Sequence, residues 1–217
     1  MRVLLIGIFL LGFATHGAAQ NVVLDSPDSP SGYIARLLIN EVPFPGDPLY
    51  RCEEDTKSGM LEIAWVLQNR VNRIPPGYTR WQIANTTATT LVGVLTAPGQ
   101  VQDFYRNDDG SLAMAPRVEA RIQYLLQIAN DGSPGRFARL LNRAQSIARD
   151  FVASAPPAPD IYASLTQVGD LWVTGFGYAW MTADLPCDPG GAFVGVPRRD
   201  SGLLGANRFY TLRRVGE

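Results

Sequence analysis

Proline placement constrains this chain more than any other feature. Of its 16 prolines, Pro43 and Pro45, Pro75 and Pro76, and Pro156, Pro157 and Pro159 each follow an apolar run with helical spacing. A ring with fixed φ and no N–H ends a helix there, so the chain is cut into short helices joined by loops. Ser29 with Pro30 behind it forms an N-cap and first-turn pair, predicting a first helix over about 30 to 41. Asp55 or Thr56 caps a second helix, on which Met60, Ile63, Ala64, Leu67 and Val71 make a stripe and Leu61, Trp65 and Val66 cover other faces. A helix apolar on most sides is surrounded by others, so this one is expected at the centre.

Thr79 caps a short turn with Trp81 and Ile83, while residues 91 to 95 are too short an apolar run to assign to strand or helix. Two clearer helices follow, one from Pro116 stopping before Gly132 and one over about 135 to 154. From Asp160 the texture changes to glycine and aromatics, which predicts loops with short strands within 165 to 182 and 207 to 213. The expected class is mainly α (α+β), a single helical domain over 29 to 217 with an aromatic-rich, partly extended C-terminal segment.

Residues 1 to 19 read as a signal peptide: Arg2, an apolar run from Val3 to Phe13, and Gly17-Ala18-Ala19 as a cleavage site. Residues 20 to 28 read as a polar leader. The expected location is periplasmic or extracellular. The single histidine, His16, lies in the removed segment, which excludes His-based nucleophilic catalysis and His-ligated zinc from the mature chain. The formal net charge is −1, with no basic run to mark a nucleic-acid binder. Neither a metal nor a cofactor is expected, nor a membrane span in the mature chain, and a monomer is expected. Cys52 and Cys187, in an oxidising compartment, are expected to form a disulfide, with a two-cysteine metal site as the alternative.

Glu41 is the candidate for chemistry. Ile34, Leu37, Leu38 and Glu41 follow i, i+3, i+4 and i+7, so its carboxylate lies on the stripe that faces the core. Burial and the negative end of the helix dipole both disfavour its ionised form and push its pKa upward. A carboxylic acid that keeps its proton is what general-acid cleavage of a glycosidic bond requires. The competing reading is a solvated helix end anchoring the loop that follows.

The run from Ala35 to Glu41, a glycine-containing loop and then the run from Ala64 to Val71 resemble the opening of the SleB-type cell wall hydrolases, relatives of the lysozyme-like lytic transglycosylases. The run from Gly99 to Tyr105 is similar to that family's Gln-Phe-Ser region. The resemblance covers about 34 to 105. Two departures stand out: Val42-Pro43-Phe44-Pro45-Gly46-Asp47 replaces the family's small residue followed by Gly-Glu, and Asn207-Arg208-Phe209-Tyr210 lacks the family's late histidine.

The resemblance implies a lysozyme-like domain in which Glu41 is the catalytic acid for the bond between N-acetylmuramic acid and N-acetylglucosamine in peptidoglycan glycan strands. A transglycosylase needs that one carboxyl. A hydrolase places a second one roughly 5 to 9.5 Å away, for which Asp47, Glu53, Glu54, Asp55 and Asp103 are candidates. Gln102 and Tyr105 are candidate contacts to N-acetyl or hydroxyl groups, and Tyr178, Trp180 and Tyr210 to sugar faces, each set against a core role. Asn69 is a further substrate-binding candidate, set against a role in satisfying helix-end carbonyls together with Arg70. Trp65 and Trp180 read as core. The competing functional class is a non-catalytic glycan-binding or structural envelope protein.

Overall fold

The computed structural model describes residues 21–131, 135–183, 189–197 and 203–216, so the expected signal peptide lies outside the described residues. The elements run α1 (Pro30–Asn40), α2 (Glu53–Asn72), α3 (Arg80–Ala84), α4 (Leu91–Leu95), β1 (Phe104–Arg106), β2 (Leu112–Met114), α5 (Pro116–Asn130) and α6 (Arg136–Val152). They continue as β3 (Gln167–Val168), β4 (Leu171–Trp172), β5 (Ala179–Thr182), β6 (Phe193–Gly195) and β7 (Asn207–Leu212).

These strands correct the expected mainly α, lysozyme-like class to mixed α+β. They form three small antiparallel sheets, β1-β2, β3-β4 and β5-β7-β6. The short strands expected within 165 to 182 and 207 to 213 form there as β3, β4, β5 and β7, and they pair into sheets. β7 sits between two partners, with Thr182 opposite Asn207 and Gly195 opposite Tyr210. The β1-β2 hairpin was not anticipated, because three-residue strands carry too few alternations to read.

α1 begins as predicted: the Gly32 N–H donates to Ser29 Oγ (3.1 Å), and Pro30 opens the helix. Its buried face is almost complete, with Tyr33, Ile34, Ala35, Leu37, Leu38 and Ile39 all inaccessible. It packs on α6, α5, α4 and α2, so α1 shares with α2 the central place expected of α2 alone. α2 starts at Glu53, earlier than the Asp55 or Thr56 cap predicted, with Cys52 as an N-cap that makes no side-chain hydrogen bond. Its far end is closed by Arg80, whose guanidinium donates to the carbonyls of Arg70 (3.3 Å) and Val71 (2.8 Å).

Residues 21 to 28 are a strap rather than a loose leader. Val22 and Leu24 are buried, and the Val22 and Asp25 N–H groups donate to Asn130 Oδ1 and Gln145 Oε1 (both 2.7 Å) on α5 and α6. Among the described residues no helix is long and apolar enough to cross a membrane.

Candidate active site

α1 delivers Glu41 as its C-cap, whose N–H donates to Leu37 O (3.0 Å). The chain cannot continue as helix because Pro43 follows. It turns inward instead, burying Val42 and Phe44, and Thr56 on α2 donates to Pro43 O (3.0 Å). Asn207, at the start of β7 and fully buried, donates through Nδ2 to both Glu41 O and Gly205 O (2.7 Å each). The main chain of Glu41 is thus clamped between the end of α1 and the sheet, in the position where the resemblance would have put a histidine-containing element.

The carboxyl is gripped separately. Trp180 on β5 donates Nε1–H to Glu41 Oε2 (3.0 Å), and Asn40 Nδ2 donates to Oε1 (3.2 Å). Glu41 retains some accessible surface, yet the dry surroundings of its carboxyl dominate: burial raises its pKa, the Trp180 and Asn40 hydrogen bonds pull it back, and the negative charge of Asp103 pushes it up again. The net direction is upward, which keeps the proton on the acid to higher pH than in a free glutamate.

Behind Trp180 lies a second buried group. Arg70 on α2 sets its guanidinium carbon 5.5 Å from the Trp180 ring centroid and donates to Tyr178 O (2.7 Å) and Gln100 Oε1 (2.8 Å). Burial lowers its pKa to about 10, so it stays a cation at neutral pH. Among the described residues no carboxylate pairs with it. A cation on the ring face is attracted by the indole quadrupole, and this holds the N–H edge toward Glu41.

Glu41 lines a cavity of about 570 Å³ with Asn40, Asp47, Leu49, Arg121 and Thr182. Asp47 is opposed to Glu41 electrostatically. Burial raises its pKa, but hydrogen bonds from Arg121 Nη2 (2.8 Å) and the Phe44 N–H (2.7 Å) outweigh that and hold it below the ordinary value. One cavity therefore carries one carboxyl pushed toward the acid form and one toward the anion, a separation that general acid-base chemistry uses. A larger cavity, about 750 Å³, lies between the β1-β2 hairpin and the end of α6, and its ionisable lining residues, Asp28 and Arg106, are exposed.

Of the other candidate second carboxylates, none lines the Glu41 cavity. Glu53 pairs with Arg139 and Lys57, Glu54 with Lys57, and Asp103 with Arg117, while Asp55 Oδ2 accepts the Gly205 N–H (3.1 Å). Gln102 and Tyr105 are exposed beside and on β1 and do not line it either. Asn69 is fully buried, donating to Asp160 Oδ2 (2.7 Å) and Gly177 O (3.0 Å), and Tyr178 is buried with its hydroxyl on Arg73 O (2.8 Å). Tyr210 is buried in β7. All three are buried in the frame around the site. Cys52 is an exposed free thiol, and its expected partner Cys187 lies outside the described residues.

The apolar stripe of α1 singles out Glu41, while the groups that hold its carboxyl and its loop carry no such pattern. Trp180 reads as core or as a sugar-stacking ring rather than as a partner of Glu41, and Asn207 and Arg121 carry no local signal, because they reach Glu41 and its loop across 139, 166 and 79 residues of chain. Among the described residues no group of three His, Cys, Asp or Glu could hold a metal ion. Comparison with protein-family models, with curated proteins and with solved structures finds no match for this chain.

Proposed function

We propose that this protein is an exported enzyme that cleaves the glycosidic bond of peptidoglycan glycan strands, with Glu41 as its general acid. The observation that carries the reading is the Glu41 carboxyl itself: gripped by Trp180 and Asn40 at a cavity wall, with its pKa raised by burial. The resemblance over about 34 to 105 supports the choice of substrate.

In this mechanism protonated Glu41 donates to the leaving oxygen as the C–O bond breaks and positive charge develops on the sugar. The Trp180 and Asn40 donors then stabilise the carboxylate that is left. That carboxylate next removes a proton, either from the sugar's own C6 hydroxyl, giving a 1,6-anhydro end, or from water, giving a reducing end. Asp47, ionised in the same cavity, supplies the second carboxylate that the water route calls for.

The test is zymography on peptidoglycan with wild type and Glu41→Gln, followed by analysis of the product ends. Clearing by wild type, lost in Glu41→Gln with binding retained, supports the enzyme. Binding without clearing by either protein would overturn it in favour of a glycan-binding envelope protein. Anhydro ends from both wild type and Asp47→Asn assign the transglycosylase route, whereas reducing ends that vanish in Asp47→Asn assign hydrolysis.

A further inference from the structure

The loop behind Glu41 is shaped by its own sequence before anything packs on it. Residues 44 to 47 form a tight turn in which the Asp47 N–H donates to Phe44 O (2.9 Å). Pro45 and Gly46 stand at its centre, and Gly46 has φ +99°. Proline sets the first central position and glycine permits the positive φ of the second, the residues that a type II turn takes. The Asp47 side chain folds back over the turn, where Oδ2 accepts the Phe44 N–H (2.7 Å). The chain thus returns a second carboxyl to the cavity that Glu41 lines.

Arg121, on α5, fastens this turn to the end of α1. A single nitrogen, Nη2, donates to Asp47 Oδ2 (2.8 Å) and to Val42 O (3.2 Å), the carbonyl of the residue next to Glu41. The guanidinium carbon lies 5.9 Å from the Phe44 ring centroid, so the turn is also held through its ring. Arg121 Nε is buried and has no hydrogen-bond partner among the described residues. A buried donor without an acceptor disfavours this pose, and the two bonds of Nη2 hold the side chain in it.

Both hydrogen bonds to Asp47 fall on Oδ2. Oδ1 accepts none from the described residues, which leaves one oxygen of the carboxylate for whatever occupies the cavity. The charged groups lining that cavity among the described residues are Glu41, Asp47 and Arg121, and Asp103 acts on Glu41 from outside it. The cation is directed at Asp47, whereas neutral donors, Trp180 and Asn40, hold Glu41. A cation against one carboxyl keeps it an anion, while burial among neutral donors lets the other keep its proton.

We infer that Arg121 is a positioning residue: it holds the Asp47 turn against the end of α1 so that the open carboxylate oxygen orients the attacking water, and cleavage ends in hydrolysis. The leaving oxygen takes the electron pair of the broken C–O bond and the proton of Glu41. The water oxygen bonds to the anomeric carbon, one of its protons restores Glu41, and the other stays on the new hydroxyl, hydrogen-bonded to Asp47. One water is added for each bond cleaved. This rests on the reading of Glu41 as the glycan-cleaving acid and selects one of the two routes open to it.

The test reads product ends and rates on the full chain. Mass spectrometry of borohydride-reduced fragments separates ordinary reducing ends from 1,6-anhydro ends, and wild type is expected to give reducing ends. Arg121→Gln is expected to lower kcat about tenfold or more with KM little changed. Burial, the largest influence on Asp47, then governs its ionisation, so the pH at which activity falls on the acid side should rise while the alkaline limb, set by Glu41, stays in place. Arg121→Lys is expected to fall between, because one ammonium can donate to both acceptors but on a shorter stem. In an Asp47→Asn background, Arg121→Gln is expected to cost no further rate. An arginine that only stabilised the fold would lower the rate equally in both backgrounds and move neither limb.

Melting curves establish which variants fold, and the product ends of the wild type decide the route whether or not they do. Anhydro ends alone from wild type overturn this inference and leave the reading of Glu41 standing. A full further loss from Arg121→Gln in the Asp47→Asn background, or an acid limb that does not move, also overturns it. Failure of wild type to cleave at all removes the reading of Glu41 and this inference with it.

Discussion

Gly59→Ala is a small change that should disable the site from the far side of α2. A Cβ built at Gly59 lies 2.7 Å from Gly205 Cα and 3.2 Å from both Gly205 N and Leu204 O. Ordinary carbon contacts are about 3.5–4.0 Å, so the backbone of the 204–206 turn must retreat by about 1 Å. It cannot adapt by a rotamer change, because the contacted atoms are main chain. That turn leads into Asn207, which clamps the Glu41 carbonyl, and Asp55 on α2 holds it by accepting the Gly205 N–H.

Overpacking of this kind costs about 1–3 kcal/mol, and replacing a helical glycine by alanine returns about 1 kcal/mol. The net loss is therefore about 0–2 kcal/mol, and each kcal/mol lowers Tm by about 2–4 °C in a domain of this size. Misplacing a reacting group by 1 Å costs about a hundredfold in rate. Calorimetry and peptidoglycan cleavage measured side by side should show a variant that melts a few degrees low yet is largely inactive. Ser58→Ala, on the exposed neighbour, should change neither. Wild-type cleavage by Gly59→Ala would refute the idea that the turn positions Glu41.

Trp180→Phe keeps an aromatic ring, smaller than the indole, and removes the donor to Glu41 Oε2. Loss of a hydrogen bond to a charged group costs the carboxylate about 1.5–3 kcal/mol, so the pH at which activity falls on the alkaline side should move up, read from a pH-rate profile. Asp25→Asn loosens the N-terminal strap. Hydrogen bonds from Arg149 and then Ser31 lower the Asp25 pKa from 3.8 to about 2 in the folded protein. The stability it contributes is therefore complete above about pH 4 and is lost as pH falls toward 2. Acid unfolding followed by circular dichroism should show the wild type losing an advantage over Asp25→Asn across that window, and parallel curves would contradict the strap.

The legible parts of the fold were those written locally. Ser29 with Pro30, Pro116 and Gly135 mark helix starts that the structure reproduces at α1, α5 and α6, and Thr90 resolves residues 91 to 95 as a helix by accepting the Gly93 N–H. Cys52 is no capping residue by type, so the start of α2 was misplaced. The sheet that corrected the fold class depends on pairing between strands far apart in sequence, where local propensity says little. The site divides the same way. Glu41 stands out in the sequence because an acid on an apolar helical stripe conflicts with its surroundings, whereas Trp180, Asn207 and Arg121 come to Glu41 and its loop only through packing. Asn69 and Tyr178 lie buried with their polar atoms on buried partners, which composition does not reveal.

The central claim is tested most directly by titrating the Glu41 carboxyl by ¹³C NMR in side-chain-labelled protein, with Glu41→Gln assigning the resonance. Its pKa should stand above the ordinary glutamate value of 4.5, with cleavage retained at low pH and lost as pH rises through that same pKa. A Glu41 that ionises at or below 4.5 would contradict the account, because the proposed acid would then hold no proton to give near neutrality.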